Sequence, residues 1–352
     1  MNVDCGSGAE AVTRDLGFDC HDVSPVVSFR FPWELANWTM PLLELIIIGG
    51  AVFALVHAIR RYRAGDPTNL ALWFASLVYL FVTEPPLYFP EWFGLDELYG
   101  FIFAHNQFTV QFMWDRLPLY IVAFYPAFSQ LAYELVRSLG IFARRGAAIG
   151  SVAVAFTCQV FYEVFDHIGP QLKWWAWNMD NDIVNHPAMA SVPMNSMLLF
   201  ASISMGAMTY LVVRLTRRWS LVPSILVAGV LTPPSMAIAG IPSSFFKGNP
   251  TAQAWVLGVE LGLLWVAGLW ILLSRATDRE PLSAFVRFYP AVYLGGMAVI
   301  WLSALPAYLA ADDGVTSDGT PIGSGPYALA CFVGAGLSLA ALYRRRTAPA
   351  TV

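Results

Sequence analysis

Apolar residues in this chain come in runs of about twenty, separated by short charged segments, and that spacing constrains the fold more than any other feature. A helix rises 1.5 Å per residue, so ~20 residues cross the ~30 Å hydrocarbon core of a bilayer. Backbone amides in hydrocarbon must be satisfied within their own segment, which makes each such run a helix. Composition agrees, since 57% of residues are hydrophobic and 12% charged, against ~25% charged in a soluble domain. The sequence reads as an all-α, polytopic transmembrane helical bundle of about nine spans, eight to ten being possible. The runs lie near 40–59, 70–90, 109–136, 147–168, 191–213, 220–243, 252–274, 287–310 and 325–343.

Cationic residues orient the bundle. If spans alternate, Arg60, Arg61, Arg63, Arg137, Arg144, Arg145, Arg214, Arg217, Arg218, Arg275, Arg279, Arg287 and Arg344 to Arg346 share one side, fifteen in all. Only Arg14, Arg30, Lys173 and Lys247 fall on the other, with Arg116 inside a span. Positive charge stays cytoplasmic, so the N-terminus is outside and the C-terminus inside. The expected organisation is an extracytoplasmic tail over 1–38, one transmembrane domain over 39–345 and a cytoplasmic tail over 346–352. The expected location is a cell membrane, the bacterial plasma membrane, with lipid bilayer around a multi-pass chain. Scattered cations and a net charge of −4 argue against a nucleic-acid partner. The first 38 residues hold six acids and two arginines and no apolar run, unlike a signal peptide. Cys5 and Cys20 both fall there, where a disulfide could close the tail into a loop.

Ionisable residues in hydrocarbon cost ~2.5–3.5 kcal/mol each, so their accumulation needs a reason. Glu84 precedes Pro85 and Pro86 at the outer end of the second run, where the prolines are expected to break the helix. His105 and Asn106 lie on the outer approach to the third run. Asp115 and Arg116 are expected inside it, with Arg116 meeting Glu84 or Glu163. The densest segment is CQVFYEVFDHIGPQLKWWAWN, in which Glu163, Asp166 and His167 are expected to share a helix face. One of Glu163 and Asp166 would hold a proton at neutral pH and act as general acid. Trp174, Trp175 and Trp177 follow, as rings for a cation or as an interfacial aromatic belt. Asn195 and Ser196 open the next span, facing a cavity or capping the helix. Thr232, Pro233 and Pro234 are expected to interrupt the sixth run. His57, beside Arg60, reads as interfacial, and Glu44 and Glu260 as isolated intramembrane acids. No metal site is expected, because HExxH is absent and the five histidines are dispersed. Nucleotide-binding loops, Rossmann glycines and GxSxG are absent too, and no cofactor is expected.

The run YEVFDHIGPQLKWWAWN, followed by SVPMNS and an apolar span, resembles the integral-membrane carotenoid-biosynthesis family that includes bisanhydrobacterioruberin hydratases. The positions that carry the resemblance are Glu163, Gly169, Trp175, Trp177, Val192, Pro193 and Asn195, within about 40 of the 352 residues. The likeness implies hydration of a carbon–carbon double bond in an isoprenoid, without a redox cofactor. The nine spans and the segments EPPLYFPE and RLPLYIVAFYP depart from that family's pattern. The expected function is acid-catalysed alkene protonation, hydration or cyclisation, on an isoprenoid-type lipid. Glu163, Asp166, His167, Glu84, Asp115 and Arg116 are the candidate catalytic residues. His105, Asn106, Trp174, Trp175, Trp177 and Asn195 are the candidate substrate contacts. Two other classes stay open: a proton-coupled carrier built on proline-broken spans, and an assembly protein whose polar residues glue helices together.

Overall fold

A computed structural model describes residues 5–274 and 281–344. The cytoplasmic tail expected over 346–352 and Arg275, Arg279, Arg345 and Arg346 lie outside the described residues. Among the described residues there are twelve α-helices and nine spans long and apolar enough to cross a membrane. The chain opens with α1 (Ser7–Leu16), then α2 (Met40–Arg63), α3 (Thr68–Tyr88) and the short α4 (Asp96–Tyr99). Next come α5 (Leu119–Ser138) and α6 (Ile141–Asp166). The fifth span begins as a π-helix, Ser196–Ile203, and continues as α7 (Ser204–Leu215). The remainder is α8 (Leu221–Ala239), α9 (Ile241–Ser244), α10 (Pro250–Leu273), α11 (Ala284–Leu309) and α12 (Gly325–Tyr343).

α5 and α6 form the centre: 89% and 78% of their most apolar windows are buried, against 22–28% for α8, α10 and α11. α6 packs against α5, α7, α10 and α12, while α2 and α3 pack against α5. The outer helices therefore present apolar side chains to lipid, as a bundle without a water-facing surface must. At the arginine-bearing end of α5, Glu134 Oε2 lies 3.2 Å from His57 Nε2. Glu134 Oε1 accepts from Asn69 Nδ2 at 2.9 Å and from Arg137 Nε at 2.7 Å. His57 is thus buried in a knot joining α2, α3 and α5, one turn before Arg60.

Several local expectations change. The second and sixth runs are not broken at their prolines: α3 continues through Pro85 and Pro86 to Tyr88, and α8 through Pro233 and Pro234. In α3 the pair lies in the last turn, where the Pro85 carbonyl still takes the Phe89 N–H at 2.9 Å. The third span starts at Leu119, about ten residues later than its apolar run. Met113, Trp114 and Asp115 have φ of 57°, 53° and 55°, a left-handed turn that no right-handed helix admits. Asp115 and Arg116 consequently lie in an outer turn and not within the third span. Asp115 accepts from Ser28 Oγ, and the Arg116 guanidinium lies 5.1 Å from the Phe101 ring centroid and 6.0 Å from that of Phe89.

The N-terminal segment is folded into a cap. A disulfide joins Cys5 and Cys20 around α1, their Cα atoms 5.9 Å apart. Strand β1 (Val27–Phe29) pairs with β3 (Val110–Phe112), which pairs with β4 (Leu117–Pro118). β2 (Phe103–His105) pairs with β5 (Trp175–Trp177), and β6 (Ala188–Met189) with β7 (Val192–Pro193). Glu44 ties α2 to this cap: its carboxylate accepts the backbone N–H of Phe108 at 2.6 Å and of Thr109 at 3.1 Å.

Candidate active site

The β2–β5 ribbon roofs a cavity. Its antiparallel register sets Phe103 opposite Trp177, Ala104 opposite Ala176 and His105 opposite Trp175. Strand side chains alternate between faces, so the two alanines share one side and the four rings the other. Val12 and Leu16 of α1 cluster with Ala104 and Ala176. The ring side closes a cavity of about 100 Å³. Its walls are Glu84 and Leu87 of α3, Ile121, Phe124 and Tyr125 of α5, and Tyr162, Phe165 and Asp166 of α6. Pro193 of the last outer strand, Asn195, and Ser196 and Phe200 of the fifth span close it. A Cβ at Gly169 would lie 2.0–2.4 Å from ring atoms of Trp175. Only glycine lets the indole lie against that turn.

Two carboxyl groups face this apolar space. Glu84 is 5% exposed; its Oε1 accepts the Tyr125 hydroxyl, and its Oε2 is buried without a hydrogen-bond partner. Asp166 is 2% exposed, and its Oδ2 accepts from Ser196 Oγ at 3.3 Å. The indole nitrogens of Trp175 and Trp177 are also buried without partners. Native proteins pair nearly all buried polar atoms, so three orphans around one cavity mark a place completed by a guest or by water. On the roof, His105 Nδ1 lies 3.2 Å from the Tyr120 hydroxyl. Burial pushes the His105 imidazole down to about 3, so it is neutral at physiological pH.

The other candidates lie elsewhere. Glu163, Asp166 and His167 lie within about 100° of arc at the end of α6, but Asp166 lines the cavity while Glu163 and His167 meet each other. Glu163 Oε2 is 3.3 Å from His167 Nε2, and Glu163 Oε1 accepts from Gln159 Nε2 at 3.1 Å. His167 Nδ1 accepts the Ser324 N–H at 3.0 Å, which fixes the ring proton of the neutral imidazole on Nε2, towards Glu163. This second cluster joins α6 to the start of α12. Asn106 builds the cap: its Nδ2 donates to the carbonyls of Leu16 and Lys173, each at 3.1 Å, and its Oδ1 accepts from Arg30. Trp174 donates to Thr39 Oγ1 at 2.9 Å and is fully buried, as is Trp175, so neither belongs to an interfacial belt. Of the twelve candidates, Glu84, His105, Asp166, Trp175, Trp177 and Asn195 line the cavity. Among the described residues, the metal-type side chains that come together are Cys5, Cys20 and His21, and the two sulfurs are bonded to each other.

Sequence reasoning missed Tyr125 and the roof strands. The signal for the strands was present: Phe-Ala-His and Trp-Ala-Trp both alternate a large ring with alanine, the period of a half-buried strand. Compared with family models, curated proteins and solved structures, the chain matches none of them.

Proposed function

We propose that the chain is an integral-membrane enzyme that protonates an alkene of an isoprenoid-type lipid, leading to hydration or cyclisation. The observation that carries this reading is the pair Glu84 and Asp166, two buried carboxyl groups from adjacent walls of one aromatic cavity. With Oε1 engaged by Tyr125, a neutral Glu84 holds its proton on Oε2. Transfer to one alkene carbon makes a C–H bond from the π pair and leaves a cation on the other carbon. Phe165, Trp175 and Trp177 offer ring faces to that charge. Water then adds, its proton passing to Asp166; in cyclisation a second alkene closes the ring and the final proton goes to Asp166. A proton returned from Asp166 to Glu84 restores the starting state.

The resemblance to carotenoid hydratases supports a lipid site here, because Trp175, Trp177, Pro193 and Asn195 line the cavity and Gly169 lies beneath Trp175, while the acid of that resemblance, Glu163, lies in the second cluster. A carrier would need a polar route onward to the cytoplasm. Below the cavity Phe124 and Phe128 stack at 3.8 Å and Tyr293 packs on Phe128 at 5.0 Å, an aromatic floor that favours the enzyme. The test is mass spectrometry of lipid extracts from a deletion strain complemented with wild type, Glu84→Gln or Asp166→Asn. The expected result is one isoprenoid accumulating in the deletion and both variants and converted by the wild type. Identical profiles in all strains would end the proposal.

A further inference from the structure

Above the cavity, on the far side of Trp177, a second groove of about 490 Å³ opens outward between α1 and the outer loops. Trp177 lines both spaces. The rim carries Arg14 and Lys173 together with Asp15, Asp180 and Asp318. Two cations against three carboxylates make a poor receptor for phosphate, which needs a clear positive excess. The same mixture suits hydroxyl groups, which donate to carboxylates and accept from cations. A separate observation places a ligand here. Ser191 lines the groove, is 4% exposed, and its Oγ has no hydrogen-bond partner. The orphan Ser191 hydroxyl asks for a hydroxyl partner.

Building on the lipid-site reading above, we propose that this groove holds a neutral, hydroxyl-rich headgroup, a sugar unit, of the lipid whose reacting alkene enters the cavity. The substrate class is then a glycosylated isoprenoid, with Trp177 at the junction of head and tail. A volume within the ~300–1,000 Å³ range of ligand pockets leaves room for such a unit.

The test is native mass spectrometry of the full chain in amine-oxide micelles, which carry no sugar, with farnesyl glucoside, farnesol and farnesyl diphosphate as probes. The glucoside is expected to be retained about fivefold better than either other lipid, the ratio one added net hydrogen bond supplies. Ser191→Ala and Asp180→Ala, which delete groove groups that do not line the cavity, should remove that advantage and leave farnesol retention unchanged. Best retention of the diphosphate, equal retention of all three, no retention of any, or a glucoside preference that survives both substitutions would overturn the proposal. Undiminished retention of both farnesol and the glucoside in Leu87→Trp, which fills the cavity, would overturn the lipid-site reading itself, and the proposal with it.

Discussion

Tyr125 donates its hydroxyl to one carboxyl oxygen of Glu84, and the other oxygen is left buried and unpartnered in the cavity wall. The tyrosine thereby orients the acid. Glu84→Gln keeps the shape of the side chain and removes the transferable proton, so turnover should fall by ~10²–10⁴, the usual contribution of a general acid. Tyr125→Phe leaves the acid in place but unheld, and a loss of about tenfold is expected. Turnover is read as product per hour in membranes by lipid mass spectrometry. A Tyr125→Phe defect larger than that of Glu84→Gln would contradict these roles.

Gly169 sets the position of a roof ring. Its missing side chain leaves space that Trp175 fills to within 2.0 Å of where a Cβ would be. Gly169→Ala should therefore displace the indole and destabilise the protein by ~1–3 kcal/mol, the typical cost of overpacking. Thermal unfolding in detergent measures this. The double variant Gly169→Ala with Trp175→Leu should recover part of the stability but not the activity, because the ring that faces the cavity is gone.

The bundle was legible in the sequence because membrane insertion imposes a strong length and polarity rule on every span. The cap was not. Hydrophobicity carried the third run back to residue 109, yet Val110–Phe112 and Leu117–Pro118 are strands, and the left-handed turn at Met113–Asp115 leaves no mark on an apolar scale. Half of the candidate site residues converge, the carboxyl groups among them because intramembrane acids are rare and have to be satisfied somewhere. Glu163 and His167 were misread as cavity residues because heptad-like spacing fixes which side chains are neighbours, not which neighbouring helix they meet. Here α12 meets them, through Ser324 and Tyr327.

His105 makes acid stability testable. Its folded imidazole protonates only near pH 3, whereas an unfolded one takes a proton at 6.5. Between those values the unfolded chain binds more protons, so this residue's contribution is complete above pH 6.5 and is lost as pH falls, by ~1.4 kcal/mol per unit. Unfolding midpoints in detergent should drop steadily from pH 6.5 to pH 4. His105→Gln, which cannot titrate, should show a flatter profile even if its midpoint at pH 7.5 is lower. Parallel profiles would mean that another group sets the acid limit.

The orientation of the bundle can be tested with cysteine labelling, because the native sulfurs are out of reach: Cys158 and Cys331 are buried and Cys5 and Cys20 are joined. Ala64 lies in the exposed turn after α2, and Asp318 in the exposed loop before α12. These turns are at opposite ends of the spans, one beside Arg60, Arg61 and Arg63, the other above the outer groove. In intact cells, Asp318→Cys should react fully with a membrane-impermeant maleimide. Ala64→Cys should react only after permeabilisation. The reverse pattern would place the arginine-rich ends outside and both Glu84 and the groove on the cytoplasmic side, so the lipid would have to enter from the inner leaflet. Labelling of both sites in intact cells would mean that the spans between them do not form a closed membrane domain.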